Sequence, residues 1–271
     1  MKESALAEVV DVTRTYGGIP VLDNVSLSIS SGITAVVGPN GSGKSTLLGV
    51  LAGAVEPTAG SVRYAHGRGG GTDTGKRIGY LPQGVPFRGE LTARETLGFY
   101  AALVGGEPDA ALADVGLADA GDRRVSALSG GMRRLLGIAQ ATLGEPAVAV
   151  LDEPTSGLDP EMRERTFRAA ATRASDDTAV VVSSHDLDLV DAYADDLVVL
   201  DRGRVVAAGT RDRLLTDHEV DDVERLYRVV VGDGEDEESD AETGGTDGDG
   251  GVSHADETSP ESVHVTGVSD R

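Results

Sequence analysis

The chain alternates short apolar runs with longer stretches in which apolar residues recur every three or four positions. Val9, Val10 and Val12, and then residues 21–29, show the partial alternation of strands. Tyr16-Gly17-Gly18 lies between them and predicts a turn, so the two runs are expected to form an antiparallel pair. Further short apolar runs predict strands at 33–37, 61–64, 77–81, 148–151, 178–183 and 196–200.

Stretches with helical spacing separate these strands. They predict helices at 44–54, 92–104, 108–115, 131–143, 160–174, 186–193, 211–215 and 220–230. Asp109 and Ser129 are the expected N-caps of two of them, because their side chains accept hydrogen bonds from free backbone N–H groups. From residue 148 onward strands and helices alternate, which favours an α/β fold with a mainly parallel sheet covered by helices.

Two segments contain too few apolar residues to pack. Gly67–Gly75 has five glycines in nine residues and is expected to be a flexible loop. The segment 232–271 contains 13 acidic residues and one arginine, and it is expected to be a disordered tail behind a folded domain at 1–231. A solvated extension and an interaction tail are both open interpretations of this acidic segment.

Composition restricts the classes of function. The net charge of −22 disfavours general nucleic-acid binding, which depends on lysine and arginine neutralising phosphates. Lysine occurs at three positions only, and such an acidic, lysine-poor chain is typical of salt-loving organisms; an ordinary acidic protein from a high-GC genome is the alternative. There is no cysteine, no secretory signal and no apolar run near the roughly 18 residues of a membrane helix, so a soluble protein is expected.

The clearest chemical motif is a glycine-rich loop between the strand at 33–37 and the helix at 44–54. It reads Gly38-Pro39-Asn40-Gly41-Ser42-Gly43-Lys44-Ser45-Thr46, which matches the P-loop pattern in full. Backbone N–H groups and the helix N-terminus can surround nucleotide phosphates. Lys44 can reach the β- and γ-phosphates, and the Ser45 hydroxyl can bind Mg²⁺. A glycine-rich turn with an incidental lysine is the alternative.

Two adjacent acids end the apolar strand at 148–151. Asp152 is expected to hold Mg²⁺, directly or through water, and Glu153 to act as the general base toward the attacking water. Ligands bind at the carboxyl ends of strands in open α/β sheets, which is where these acids are expected to lie. Solvated loop carboxylates are the alternative, and the P-loop makes that alternative weaker.

The third motif is Leu128-Ser129-Gly130-Gly131-Met132, at a helix start 20 residues before Asp152. With it, residues 6–230 resemble the ATP-binding subunits of ABC transporters, whose signature reads LSGGQ. The resemblance implies a P-loop NTPase with a mainly parallel sheet core, an antiparallel β subdomain and an inserted α-helical subdomain at about 84–143. It also implies a head-to-tail dimer with ATP between one P-loop and the other subunit's Ser129, Gly130 and Gly131. Met132 departs from the signature, so the glutamine contact is not carried over.

The resemblance assigns roles to further residues. Tyr16 falls where the family stacks an aromatic ring on adenine, and a surface tyrosine in a hairpin is the alternative. Gln83 matches the loop glutamine that contacts Mg²⁺ and the attacking water. His185 matches the switch histidine at the γ-phosphate, and Ser156-Gly157-Leu158-Asp159 matches a loop that crosses the dimer interface.

The implied activity is ATP hydrolysis coupled to transport. Glu153, His185 and Lys44 would be catalytic, with ATP and Mg²⁺ as cofactors and Ser45, Gln83 and Asp152 around the metal. The expected partners are a separate transmembrane permease and a second ATP-binding subunit, expected to be a copy of this chain. That arrangement places the protein in the cytoplasm, on the inner face of the cell membrane.

The sequence of residues 80–83 and 91–97 most resembles that of ABC-2-type exporter subunits. The alternatives are the ATPase subunit of an importer and a soluble ABC ATPase of the iron–sulfur assembly type. A nucleotide-binding regulator without turnover is disfavoured because Glu153 and His185 are both intact.

Overall fold

The computed structural model describes residues 5–64, 78–84, 87–175 and 177–232. The predicted loop Gly67–Gly75 and all but the first residue of the predicted acidic tail lie outside these ranges. The strands within the described residues are β1 (Ala7–Tyr16), β2 (Ile19–Ile29), β3 (Gly32–Val37), β4 (Ala59–Tyr64), β5 (Ile78–Leu81), β6 (Val148–Leu151), β7 (Ala179–Ser183), β8 (Asp196–Asp201) and β9 (Arg204–Thr210).

Strands β2, β1 and β4 form an antiparallel sheet in that order. Strands β1 and β2 bury apolar side chains, among them Val9 and Val12 on β1 and Leu22 and Val25 on β2, and Val12 pairs directly with Val25. The register between β1 and β2 shifts between Val9 and Val12, where Asp11 has a positive φ of 48°. The irregularity returns Val12 to the buried face, so the predicted antiparallel pair is confirmed with a bulge in it.

The second sheet has the order β5-β6-β7-β3-β8-β9 within the described residues. Its first five strands are parallel to one another, and β9 pairs antiparallel with β8. Strands β6 and β7 are buried at every position, as expected for parallel strands covered on both faces. The predicted fold class, α/β with a mainly parallel sheet and a separate antiparallel sheet, is confirmed.

Strand β9 was not predicted from the sequence. Its residues alternate between exposed and partly buried positions, and only Ala207 of the strand is fully buried. An edge strand with one solvated face has few large apolar residues, so its hydrophobic signal is weak.

The helices are α1 (Lys44–Leu51), α2 (Ala93–Val104), α3 (Pro108–Asp114), α4 (Gly130–Ala141), α5 (Pro160–Ala171), α6 (Leu187–Tyr193), α7 (Arg211–Asp217) and α8 (Val223–Val231). Thr92 and Glu95 form a capping box at the start of α2. Ser129 caps α4 as predicted, since its hydroxyl accepts a hydrogen bond from the Met132 N–H at 3.2 Å.

The predicted cap at Asp109 is wrong. Helix α3 begins at Pro108, so its N-cap is Glu107, and Asp109 lies in the first helical turn. Proline is well suited to that first position because its missing N–H would have no partner there. The Asp109 carboxylate instead forms an ion pair with Arg94 on α2.

The parallel sheet is packed on both faces, and several of its strands end at the same edge. Ala35 and Val37 of β3 point into one apolar cluster, and Val36 points into the other. Parallel pairing aligns the ends of β5, β6 and β7, with Leu81 beside Leu151 and Leu151 beside Val182. The loops that follow β3, β5, β6 and β7 therefore emerge at the same edge of the sheet.

Candidate functional site

The glycine-rich loop joins the end of β3 to the start of α1 at this edge. Gly43 is the N-cap of α1 with a φ of 104°, and a β-carbon there would lie 2.7 Å from the Val21 carbonyl oxygen. Only glycine fits that conformation and that close approach without strain. No side chain caps α1, so its first N–H groups are available to an anion. Asn40 and Gly41 form the exposed tip of the loop, and Thr46 follows in the first turn of α1.

Lys44 lies almost fully buried inside this loop, with 5% of its surface exposed. Its ammonium group donates hydrogen bonds to the carbonyl oxygens of Gly38, at 2.8 Å, and Pro39, at 3.0 Å. Burial lowers the pKa of Lys44 below its ordinary 10.5, against the opposing effect of the Glu153 and Asp152 carboxylates. A buried cation held only by neutral carbonyl groups is well placed for a phosphate oxygen.

Ser42 supplies a second sign that the loop fits phosphates. Its hydroxyl oxygen is buried and has no hydrogen-bond partner in the described part of the chain. Unpaired buried hydroxyl groups are uncommon because they cost free energy. A phosphate in the loop would give Ser42 a partner, so the residues present fit a nucleotide.

Asp152 follows β6 and accepts two hydrogen bonds on one carboxylate oxygen. The Ser45 hydroxyl donates to Oδ1 at 3.1 Å and the Ser183 hydroxyl at 2.7 Å. Hydroxyl and carboxylate oxygens are the hard ligands that Mg²⁺ prefers. Within the described residues, no group of three or more acidic, histidine or cysteine side chains could hold a metal. The pair Ser45 and Asp152 therefore fits Mg²⁺ that takes its other ligands from phosphate and water.

Glu153 is held by residues from three other loops and strands. Its Oε2 accepts a hydrogen bond from the Gln83 amide nitrogen at 2.9 Å, and its Oε1 lies 3.0 Å from His185 Nε2. Its own backbone N–H donates to the Ser183 hydroxyl at 2.8 Å. Glu153 also has a φ of 44°, in the left-handed region that side chains rarely adopt. The predicted residues Gln83, Glu153 and His185 are therefore brought together.

Ser183 was missed by the sequence analysis. As the last residue of β7 it is fully buried, and it contacts both neighbouring acids, Asp152 through its hydroxyl proton and Glu153 through its oxygen. Its position directly before Ser184-His185 was the available signal, since polar residues at the end of a buried parallel strand commonly belong to a site.

Arg134 on α4 was also missed. A β-carbon at Gly79 would overlap the Ala141 carbonyl oxygen, and one at Gly137 would lie 2.6 Å from Leu81, so α4 runs antiparallel to β5 in close contact. One turn before Gly137, Arg134 therefore lies beyond the end of β5, beside the acids that follow β6. Burial lowers the pKa of Arg134, while the charges of Asp152 and Glu153 oppose that shift.

The segment at Ser129 lies at the exposed start of α4. Ser129 and Gly130 are exposed, and the Ser129 hydroxyl bonds within its own helix. Gly131 is buried against α5, where a β-carbon would overlap Met162. Met132 is half-buried, with its sulfur 3.9 Å from the Arg123 guanidinium.

Tyr16 ends β1 with 45% of its surface exposed. The Arg14 guanidinium lies over its ring at 4.4 Å from the centroid, which covers one ring face. The ring is therefore partly exposed, and its contact with adenine stays a prediction.

The comparisons with known proteins all find similarity to ATP-binding proteins of transporters. A family model described as "ABC transporter" matches residues 22–156. The chain is 35% identical, over 79% of its length and 71% of the relative's, to the daunorubicin resistance ATP-binding protein DrrA3 of Streptomyces coeruleorubidus. It is 37% identical, over 77% of its length, to the cobalamin import ATP-binding protein BtuD of Halobacterium salinarum. It spans just over half of that second protein, 56%.

Solved structures show the same relationship. An ATP-binding subunit of an ABC transporter superposes with a TM-score of 0.71 at 28% identity, over 83% of this chain and 99% of that one. A dimeric ATP-binding cassette in a post-hydrolysis state with ADP and Pi superposes with a TM-score of 0.65 at 25% identity, over 75% and 98% of the two chains.

Proposed function

Since the chain belongs to the ABC transporter family of ATP-binding, ATP-hydrolysing domains, we propose that it energises transport through a separate transmembrane permease of the ABC-2 exporter type. In this proposal residues 1–231 form the ATP-binding domain, with the helical subdomain at about 84–143, and 232–271 form the acidic tail. The domain lies on the cytoplasmic face of the membrane, bound to the permease. The observation that carries the ATP hydrolysis in this proposal is that Lys44, Asp152 and Glu153 lie together at one sheet edge.

Hydrolysis follows from what these residues do. Lys44 and the N–H groups at the start of α1 hold the phosphates and balance their negative charge. Glu153 accepts the proton of the attacking water at a carboxylate oxygen, and His185 and Gln83 hold that carboxylate in place. Mg²⁺, held through Ser45 and Asp152 with Gln83 nearby, would supply charge neutralisation of the phosphates when bound.

A second copy of this chain completes the site in our proposal. Ser129 and Gly130 are exposed at the N-terminus of α4, a 12-residue helix. Their N–H groups are suited to the γ-phosphate held by another subunit, in a head-to-tail homodimer. The similarity to a dimeric cassette with ADP and Pi supports the existence of a dimer, and the head-to-tail arrangement is part of our proposal.

The permease is proposed to dock on α2. Phe99 and Leu103 of that helix are 61% and 70% exposed, unusually high for large apolar side chains. Beside them lies a cavity of about 220 Å³ bounded by Phe87, Arg88, Leu91, Thr96, Phe99 and Tyr100. An apolar recess with an exposed aromatic rim fits a short amphipathic helix from a membrane subunit.

The experiment identifies the neighbouring reading frames, co-expresses this chain with a six-span membrane protein if one is encoded there, and captures the pair in detergent. Phe99→Asp should lose the permease but keep basal ATP hydrolysis, while Val229→Asp, on the exposed face of α8, should keep both. Equal capture of all three proteins would contradict the docking site. A neighbouring gene for an extracytoplasmic binding protein would instead favour the importer, as in the cobalamin and hemin import relatives.

The acidic composition supports a second, narrower proposal, adaptation to high salt. With a net charge of −22, self-repulsion is strong at low ionic strength and is screened as salt rises. One similar protein comes from Halobacterium salinarum. ATP hydrolysis should increase between about 0.1 and 2 M KCl; a decline over that range would contradict the proposal.

A further inference from the structure

Two loops flank the Glu153 carboxylate, and one arginine donates hydrogen bonds to both of them. The first loop runs from Glu153 to Asp159, and the second is Ser184-His185-Asp186. Between them lies a cavity of about 260 Å³ whose wall includes Arg163 of α5. Arg163 is outside the motifs of the sequence analysis and was not assigned a role there.

The contacts of Arg163 use two sides of its guanidinium group. Nε donates a hydrogen bond to the Leu158 carbonyl oxygen at 3.0 Å, and Nη1 donates to Asp186 Oδ2 at 3.3 Å. The guanidinium is planar and its donors have fixed directions, so these two acceptors are held at a defined separation. A lysine at the same position could not reproduce both bonds with that geometry.

The first contact reaches the loop that follows Glu153. That loop is folded on itself, because the Ser156 N–H donates to the Glu153 carbonyl at 3.2 Å and the Leu158 N–H to the Thr155 carbonyl at 3.3 Å. Fixing the Leu158 carbonyl therefore fixes a short, turned segment whose other end is Glu153.

The second contact reaches the residue after His185. Asp186 caps α6 through Oδ1, and its N–H donates to the Ser184 hydroxyl at 3.0 Å. Its second carboxylate oxygen is the one bonded to Arg163. Asp186 is thus held from three sides, and the backbone that carries His185 is held with it.

Helix α5, which carries Arg163, is held in place by its N-cap and by buried side chains. Asp159 caps the helix through the Met162 N–H at 3.0 Å, and Thr166 and Phe167 on the following turn are fully buried. The Arg163 side chain is 42% exposed, so its ion pair with Asp186 adds little to overall stability. Its contribution is geometric.

We propose that Arg163 is a positioning residue for ATP hydrolysis, which holds the loop 156–159 and the His185 segment in one fixed arrangement around Glu153. This rests on the proposed function to the extent that the loop meets a second subunit in the ATP-bound dimer. In that dimer a shift of Leu158 moves Arg163, then Asp186, and with it the contact between His185 and Glu153. Closure of the dimer is thereby communicated to the general base of the same subunit.

The test compares Arg163→Met and Arg163→Lys with Arg168→Met, whose arginine makes an exposed pair with Glu164 on the same helix. Both Arg163 variants should lower kcat about tenfold or more, with KM for ATP and the melting temperature close to the parent's, because geometry rather than binding is changed. Arg168→Met should match the parent in all three. A parental kcat in Arg163→Met, or an equal loss in kcat and in affinity for a fluorescent ATP analogue, would overturn the proposal.

A double-mutant cycle in kcat with Asp186→Asn sharpens the test, since asparagine still caps α6. If both residues act through one contact, Arg163→Met/Asp186→Asn should be no slower than the slower single variant. Multiplying losses would show independent roles and overturn the proposal. These assays use the purified full chain, so a failure of the transport proposal would appear separately, as a permease that is not captured while ATP hydrolysis persists.

Discussion

His185 Nε2 lies 3.0 Å from Glu153 Oε1, although the two residues are 32 positions apart and follow different strands. The distance results from the parallel register of β6 and β7, which places Leu151 beside Val182. Every residue inserted or removed in either strand would shift one partner by about 3.3 Å. The contact is thus a direct product of how the sheet pairs.

The first prediction concerns the general base. Glu153→Gln preserves the shape of the side chain but removes the proton acceptor, so hydrolysis should fall by about 10²- to 10⁴-fold while ATP still binds. Turnover and binding of a fluorescent ATP analogue measure the two effects. Glu164→Gln, on the exposed face of α5, is the matched control and should behave as the parent. Parental turnover in Glu153→Gln would show that another group takes the proton.

The same variant tests the dimer. With hydrolysis blocked, ATP should convert Glu153→Gln from monomer to dimer in size-exclusion chromatography with light scattering. Adding Ser129→Arg places a bulky group at the exposed start of α4 and should abolish the dimer without loss of nucleotide binding to the P-loop. A dimer that forms equally well with Ser129→Arg would exclude the head-to-tail arrangement.

The second prediction concerns pH. Burial lowers the pKa of Lys44 below 10.5, and the protonated form is the one that attracts phosphate. The affinity for ATP should therefore be highest at pH values well below the lowered pKa of Lys44. It should fall as the pH rises through that pKa, by about tenfold for each further pH unit. Titrations of the fluorescent analogue from about pH 7 to pH 10 measure this. Lys44→Ala should bind more weakly and with a flat profile; a parallel decline in both would assign the titration to another group.

The third prediction concerns Arg134. Its Nη1 is buried without a hydrogen-bond partner among the described residues, and such groups are costly. Arg134→Met should raise the melting temperature by about 2 °C yet lower kcat about tenfold, because the positive charge beside Asp152 and Glu153 is lost. Arg225→Met, on the surface of α8, is the control and should leave kcat unchanged. An unaltered kcat in Arg134→Met would show that the charge has no role in hydrolysis.

The fourth prediction concerns the packing of α4 on β5. Gly79→Ala should lower the free energy of unfolding by about 1–3 kcal/mol or more, since its β-carbon would overlap the Ala141 carbonyl. Gly98→Ala in α2 has open space around it and should raise that free energy by about 0.5–1 kcal/mol. Denaturant unfolding of both variants measures the contrast. A harmless Gly79→Ala would mean that α4 can move away from β5.

Much of the molecule could be predicted because its signals are contiguous. The P-loop from Gly38 to Thr46 and the acids Asp152 and Glu153 each follow an apolar strand directly, so sequence order alone gives their place at the sheet edge. Gln83 and His185 could be added through a resemblance in motif order. The structure brings Gln83 and His185 each within hydrogen-bond distance of the Glu153 carboxylate.

The residues that were missed act through tertiary packing. Arg134 lies near enough to interact electrostatically with the acids because α4 runs antiparallel to β5 in close contact at Gly79 and Gly137. Arg163 forms hydrogen bonds to two loops that are far apart in the sequence, so no local sequence pattern could indicate its position. Strand β9 was missed for another reason, since a solvated edge strand needs few apolar residues.

The left-handed backbone of Glu153 has an evolutionary consequence. A glutamate at a φ of 44° is less favourable than glycine or asparagine by about 1–2 kcal/mol, so stability alone would select against it. The need for a carboxylate at position 153 opposes that selection. Descendants of this fold that abandon hydrolysis but still bind nucleotide are therefore expected to replace this residue early, and a glycine or asparagine here would be a marker of lost turnover.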